Sequence, residues 1–283
     1  MIAGAFLTVA VVVAITDWVF ITRFRRASEQ AMTARAAAFT AVADQAKNHT
    51  AALHQKGTFS TAELLKELAA DRAAGKPYTQ SRIFGTIPVV AGWTAAQSAA
   101  ASENLEFRLA AFNARNQENE PRAGTFEAST LEALDAQVKA GGPEVISRVD
   151  EQTNTLHYMR AIRLTSDCML CHGEPGNEFD TDKDGKDPLG FAMEGWKAGD
   201  MHGAYHLRMP LTELDGQVAG FLWAGLGWTA PAAALALGLY GWMFSRVLGR
   251  PVAALIERVR DEITVLADRL GRDMLSRIIY GTR

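Results

Sequence analysis

Cys168-Met169-Leu170-Cys171-His172 forms a C-x-x-C-H pentapeptide and contains both cysteines of the chain. That spacing suits covalent attachment of a c-type haem. Two thiols so placed reach the two vinyl groups of one porphyrin while the next imidazole reaches the iron. Cys168 and Cys171 are therefore the candidate thioether positions, and His172 is the candidate proximal ligand. A redox dithiol or half a zinc site would use the same spacing. However, no second C-x-x-C exists to complete a zinc ligand set, and nothing thioredoxin-like surrounds the pair. The motif calls for a domain able to cover a large flat cofactor. In bacteria it also calls for attachment outside the cytoplasmic membrane.

Composition adds the membrane to this picture. The 48% apolar content is ordinary, but it is concentrated in two runs flanking a polar middle. A net charge of −3 offers no basic surface for nucleic acid. Residues 1–22 (MIAGAFLTVAVVVAITDWVFIT) approach the about 20 residues of a bilayer-spanning helix. A non-basic start, and a small-x-small site only at Ala34-Arg35-Ala36, favour an anchor over a cleaved signal. Asp17 falls near the outer end of that run, at the interface. The second run, 216–245, carries no charge after Asp215 until Arg246. Trp223 and Trp242 lie towards its ends, and Pro231 in the middle invites a kink.

Arg246 and Arg250 mark the cytoplasmic side of the second run by the positive-inside rule. Arg23, Arg25 and Arg26, applied to the first run, argue the reverse. The haem chemistry decides in favour of a middle domain outside the cytoplasmic membrane, in the periplasm.

The middle, 23–215, reads as an α+β domain. Ala27 to His54 is rich in alanine with no proline or glycine, and Ala34, Ala38, Val42 and Ala46 suggest its buried face. Ser60 and Glu63 have capping-box spacing and open a helix to Ala74 with Leu64, Leu65 and Leu68 inward. Further helices are predicted over Gly92 to Ser102 and Thr125 to Ala140. Strands are predicted at Phe107 to Ala110, Glu144 to Val149, Leu156 to Leu164 and His202 to Met209. Along the last strand, alternation puts Tyr205, Leu207 and Met209 on the core face. After the second run, 246–283 forms a short cytoplasmic helix. Val252, Leu255, Val259, Ile263, Leu266 and Leu270 make a coiled-coil seam there, which implies a homodimer. A helix lying on the membrane surface is the alternative, but acidic residues alternating with arginine argue against it.

Four stretches, TIPVVAGW (86–93), FRLAAFNARNQENEP (107–121), LHYMRAIRLTSDCMLCHGEP (156–175) and DPLGFAMEGWKAGDMHGAYHLRMPL (187–211), carry a family resemblance. Together they resemble the c-type haem-binding PAS-like periplasmic sensor domain of bacterial chemotaxis receptors and sensor kinases, over roughly residues 40 to 215. The resemblance implies one covalent haem in a PAS-like domain tethered to the membrane, with signalling parts on the cytoplasmic side. The stretch after Pro251 is too short for a kinase or a receptor hairpin. The expectation is therefore a sensor without its own output domain, a truncated receptor, or a cytochrome built on the same module.

The sixth position on iron decides the chemistry. The candidates are His49, His54, His157, His202, His206, Met159, Met193 and Met201. His54 is preferred, because a ligand on the helix joined to the membrane run would couple iron state to helix position. Arg108, Arg115 and Asn116 are candidates for pairing the propionates, and resemblance to the family's R-N-x-x-N-x-P segment favours Arg115. Asp180 to Gly185 matches the first half of a calcium loop. Pro188 and Phe191 stand at its ninth and twelfth positions, so it reads as an acidic turn with calcium unlikely. No triad, phosphate loop or carboxylate pair points to an enzyme. The expected function is a membrane-anchored haem sensor of redox state or small gases with a cytoplasmic signalling partner. The alternative is an electron-transfer cytochrome with a membrane redox partner.

Overall fold

The computed structural model describes residues 2–103, 105–180 and 182–281. Met1, Thr282 and Arg283, at the tips of the first and last segments assigned above, lie outside the described residues, as do Asn104 and, within the acidic turn, Thr181. The chain divides into two compact units, one of residues up to Arg23 together with those from Gln217 on, the other Phe24–Gly216.

The haem-motif unit is built on a four-stranded antiparallel sheet, β1 (Glu106–Ala111), β2 (Val145–Asp150), β3 (Thr155–Arg163) and β4 (Met201–Pro210), in the order β1-β4-β3-β2. All four strands fall where the sequence placed them, within two residues. The central pair registers Tyr158 opposite Leu207 and Met159 opposite His206, with a bulge between Ile162 and Arg163.

Helices cover both faces of this sheet. α5 (Phe126–Lys139) is capped by Thr125, whose hydroxyl accepts from the Ala128 N–H. Its Leu131, Leu134 and Val138 pack on Ala110, Met159, Ala161 and Ala204. On the other face lies the second half of α1 (Ile2–Gln55), where Thr40 receives the Arg160 side chain at 3.1 Å. Cover on both sides changes the reading of β4. Its Tyr205 face is buried as expected, but His206 on the opposite face is fully buried too, beneath α5. Single-sided alternation cannot reveal a second covering helix.

The buried row of α1 also differs from the predicted one. Ala36, Thr40, Ala43, Lys47 and Ala51 face inward, while Ala34 and Ala38 are exposed and Val42 is 59% exposed. In a segment this rich in alanine, hydrophobicity hardly distinguishes one face from another. The chosen face includes a threonine and a lysine because they bond to the sheet side, Thr40 to Arg160 and Lys47 to the Arg163 carbonyl.

Small residues on α1 let α4 (Pro88–Ser102) approach closely. A Cβ on Gly92 would run into the Ala43 carbonyl and stand 2.8 Å from the Tyr205 hydroxyl. Gly92→Ala is therefore expected to destabilise the domain by about 1–3 kcal/mol, the usual cost of overpacking, measurable as a lower denaturant midpoint with unchanged slope. An unchanged midpoint would mean that the two helices can separate freely.

α2 (Thr61–Ala73) starts at Ser60, whose hydroxyl accepts from the Glu63 N–H, and buries Leu64 and Leu68 against Ile83 of α3 (Arg82–Thr86). At the foot of the domain, Asn154 donates to Asp215 at 2.6 Å and Arg25 stands 3.8 Å from the same carboxylate.

In the other unit, the first half of α1 and α7 (Thr212–Phe244) belong to helices long and apolar enough to cross a membrane. Phe20 and Phe221 meet edge to face. α7 runs without a break through Pro231 into a single π-helical turn at Ser245–Gly249, then into α8 (Arg250–Tyr280). Arg246 lies over the Trp242 ring.

Candidate functional site

The attachment motif follows β3 directly. After Arg163 the chain turns through Ser166–Cys168 and forms one short helical turn, α6 (Met169–His172). Thr165 sets the geometry, since its N–H donates to Cys168 Sγ at 3.3 Å. Both cysteines are free and partly exposed. Burial, chiefly, and the nearby Asp187 push the Cys171 thiol up to about 12. A redox dithiol needs the opposite shift, because the thiolate is its reactive form.

His172 is oriented by an acid. Its Nδ1–H donates to Glu194 Oε2 at 2.9 Å, which leaves Nε2 as the free nitrogen. A second group fixing the tautomer and direction of an imidazole is what a metal-binding histidine requires. Burial opposes the charge on Glu194, but hydrogen bonds from His172 and Arg115 outweigh it and hold the carboxyl down at about 2.

Arg115 is the hub beneath the motif. Its guanidinium donates to both oxygens of Glu194, at 2.8 and 3.2 Å, to Asp187, and to the Cys171 carbonyl at 2.7 Å. It also lies over the Phe191 ring. Burial works against its charge, yet the bond to Glu194 and the Asp187 carboxylate raise its pKa overall. Arg115 is thus brought to the motif, with its fork already engaged by two carboxylates. Of the other propionate candidates, Arg108 turns to Glu127 and the Glu118 carbonyl, and Asn116 caps its own turn by accepting from the Glu118 N–H.

The sixth-position candidates separate clearly. His202 stands beside His172, their ring centroids 4.9 Å apart, and Trp196 flanks it at the same distance. His202 Nδ1 is buried without a partner, and desolvation lowers its pKa to about 4, keeping the ring neutral. His54 donates Nε2–H to the Thr86 carbonyl at 2.7 Å and packs on Phe59. His49 is exposed. His157 and His206 bond to each other, while Met159 and Met201 belong to the core under α5. Met193 is buried. Near Cys168 and Asp44, the Tyr205 hydroxyl is buried without a partner, and desolvation raises its pKa.

The donor set fits a covalent haem. It offers two reduced, partly exposed cysteines on one turn, an imidazole with its second nitrogen anchored, and a neutral imidazole alongside. Glu194, Asp187 and Trp196 complete the site although sequence reading gave them no role. They come from an irregular loop after the motif, where no periodicity points to a partner.

Among curated proteins, none matches the chain. One solved structure, "Crystal structure of the cyanobacterial heme-protein Tll0287", is 21% identical, with a TM-score of 0.34, over 52% of this chain and 88% of that one. The model of the Tll0287-like family matches residues 25–210, a stretch that takes in the sheet, the C-x-x-C-H turn and the Arg115 hub. By that match the chain belongs to the Tll0287-like family.

Proposed function

We propose that this chain is a membrane-anchored haem sensor whose PAS-like domain carries one c-type haem on the outer side of the cytoplasmic membrane. The observation that carries the reading is the α6 turn, where both cysteines are reduced and partly exposed and Glu194 holds His172 with Nε2 free. Support comes from the haem protein that is the namesake of the family, and from the two helices apolar enough to anchor the chain.

Cys168 and Cys171 would hold the porphyrin, and His172 Nε2 would bind the iron. Bound there, the group supplies a one-electron couple and, where its sixth position opens, a site for a small gas. Glu194 raises the basicity of the His172 ring, and Arg115 keeps Glu194 and Asp187 in place. Among the imidazoles, His202 is the one the fold brings to His172, and it would be the second nitrogen donor once the two rings part to admit the group. The domain performs no catalytic turnover. A homodimer forms through α8, where the seam residues Leu255, Ile263 and Leu270 are each more than 60% exposed in the single chain. The relation to chemotaxis receptors is part of the same reading, and a cytoplasmic partner takes the signal from α8.

Absorption spectra of the purified chain, oxidised and reduced, with and without carbon monoxide and nitric oxide, test this. The expected result is sharp low-spin bands that become high-spin and gas-responsive in His202→Ala and stay unchanged in His54→Ala. The reverse pattern would move the ligand to α1, and absence of any haem would sink the proposal. Sharp bands unmoved by gas, together with signalling that survives deletion of 251–283, would favour the electron-carrier alternative.

A further inference from the structure

Asp180, Asp182 and Asp184 lie on the loop that follows the attachment turn, and the haem reading does not use them. One oxygen from each lies within 4.8 Å of the others. Asp182 and Asp184 are exposed, as solvated acids usually are, but Asp180 is only 2% exposed. Its Oδ2 accepts from the Gly176 N–H at 2.8 Å and the Gly185 N–H at 3.1 Å, whereas its Oδ1 is buried with no partner. A buried carboxylate oxygen without a donor is costly and calls for an explanation.

The neighbouring cations do not supply one. Lys183 places its ammonium on the Gly176 and Asn177 carbonyls at 2.8 and 2.7 Å. Lys186 reaches only Asp184, at 3.8 Å. Lys183 lends Asp180 only its charge, and the side chain of Asp182 can hydrogen-bond to it only while it keeps its own proton, which leaves Oδ1 without a donor when both are ionised. The backbone wraps around the same point: Lys183 and Gly185 both have positive φ, and the Gly185 N–H ties the sixth position of the loop back to the first.

We propose that Asp180, Asp182 and Asp184 bind a divalent metal ion, calcium by preference, with Asp180 Oδ1 as the buried ligand. All-oxygen donors on a flexible loop suit calcium. Magnesium demands a stricter octahedron and sheds water reluctantly, and softer metals prefer nitrogen or sulfur. Pro188 and Phe191 still deny the loop its later side-chain ligands, so water completes the shell and affinity is modest. The loop runs on to Asp187, which pairs with Arg115. Calcium would thus pin one end of the segment that braces the attachment turn.

The test is calorimetric titration of calcium into the detergent-solubilised full chain after treatment with a chelator. One calcium per chain is expected, with a dissociation constant of about 0.1–1 mM, as for weak calcium modules. Asp182→Asn with Asp184→Asn, both at exposed positions and so not expected to disturb folding, should weaken binding about tenfold or more, because two of three charged ligands are lost. Asp180→Asn should abolish it. Absence of saturable binding would overturn the proposal, as would binding that ignores the double variant or magnesium binding equal to calcium.

Discussion

Cys168→Ser combined with Cys171→Ser is expected to abolish covalently retained haem altogether. Peroxidase staining after denaturing electrophoresis should go from a strong band at the mass of the chain to none. Both proposed thioethers would depend on these sulfurs, and the chain has no other cysteine to replace them. His172→Ala should behave differently, since it removes the Nε2 ligand that Glu194 orients yet leaves both sulfurs. That variant is expected to keep the stained band while losing the native absorption spectrum. A stained band that survives the double cysteine substitution would show that the porphyrin is held elsewhere, and the C-x-x-C-H turn would lose its assigned role.

The second large effect concerns acid. His157 is 4% exposed, its Nδ1 bonds to His206 at 3.0 Å, and His206 in turn bonds to Glu127 at 3.0 Å. Desolvation, with help from His206 and Arg208, lowers the His157 pKa from 6.5 to about 4, against the pull of Asp150 and Glu127. The folded protein therefore resists a proton that the unfolded chain accepts. Above pH 6.5 the ring is neutral in both states and costs nothing. As pH falls from 6.5 towards 4, stability falls by roughly 3 kcal/mol, levelling off once both states are protonated. Denaturant midpoints of the full chain measured at intervals between pH 7 and pH 4 should show this slope, and His157→Gln should flatten much of it. A slope that survives His157→Gln intact would place the acid sensitivity elsewhere. Glu127 responds in the same direction: burial opposes its charge, but the hydrogen bond to His206 together with the charges of His206, Arg108 and Arg208 keeps its carboxyl ionised below the usual range, so that contribution too is lost at low pH.

Strands and capped helices were legible because local chemistry dictates them. The four strands stood out as short segments between turn residues, alternation gave the core face of β4, Ser60 and Thr125 marked the starts of α2 and α5, and C-x-x-C-H marked the turn at 168–172. Features that depend on contacts between distant residues were not legible. The true inner face of α1 was hidden because alanine is equally content on every side, and Lys47 is buried only because the Arg163 carbonyl awaits it. His206 read as surface because nothing in β4 reveals that α5 lies above it. Arg115 was named for its charge, but Glu194 and Asp187 lie more than seventy residues further along, in a loop without pattern. The half calcium loop was visible, yet the stranded Asp180 oxygen that gives it meaning appears only once the chain is folded.

β4 brings together within five residues His202 beside His172, Tyr205 at the crossing of α1 and α4, and His206 in the chain of bonds under α5. Strand geometry makes these three placements a single choice, because a slip of one residue would turn every side chain to the opposite face. The bulge opposite Ile162 and Arg163 already takes up one residue at the start of β4, and an insertion or deletion inside 204–210 would turn the rest of the strand to the wrong face. Length change during divergence should instead collect in those parts of the irregular stretch 173–200 that lie between Asp187, Glu194 and Trp196, which the site holds in place, while the strand keeps its length.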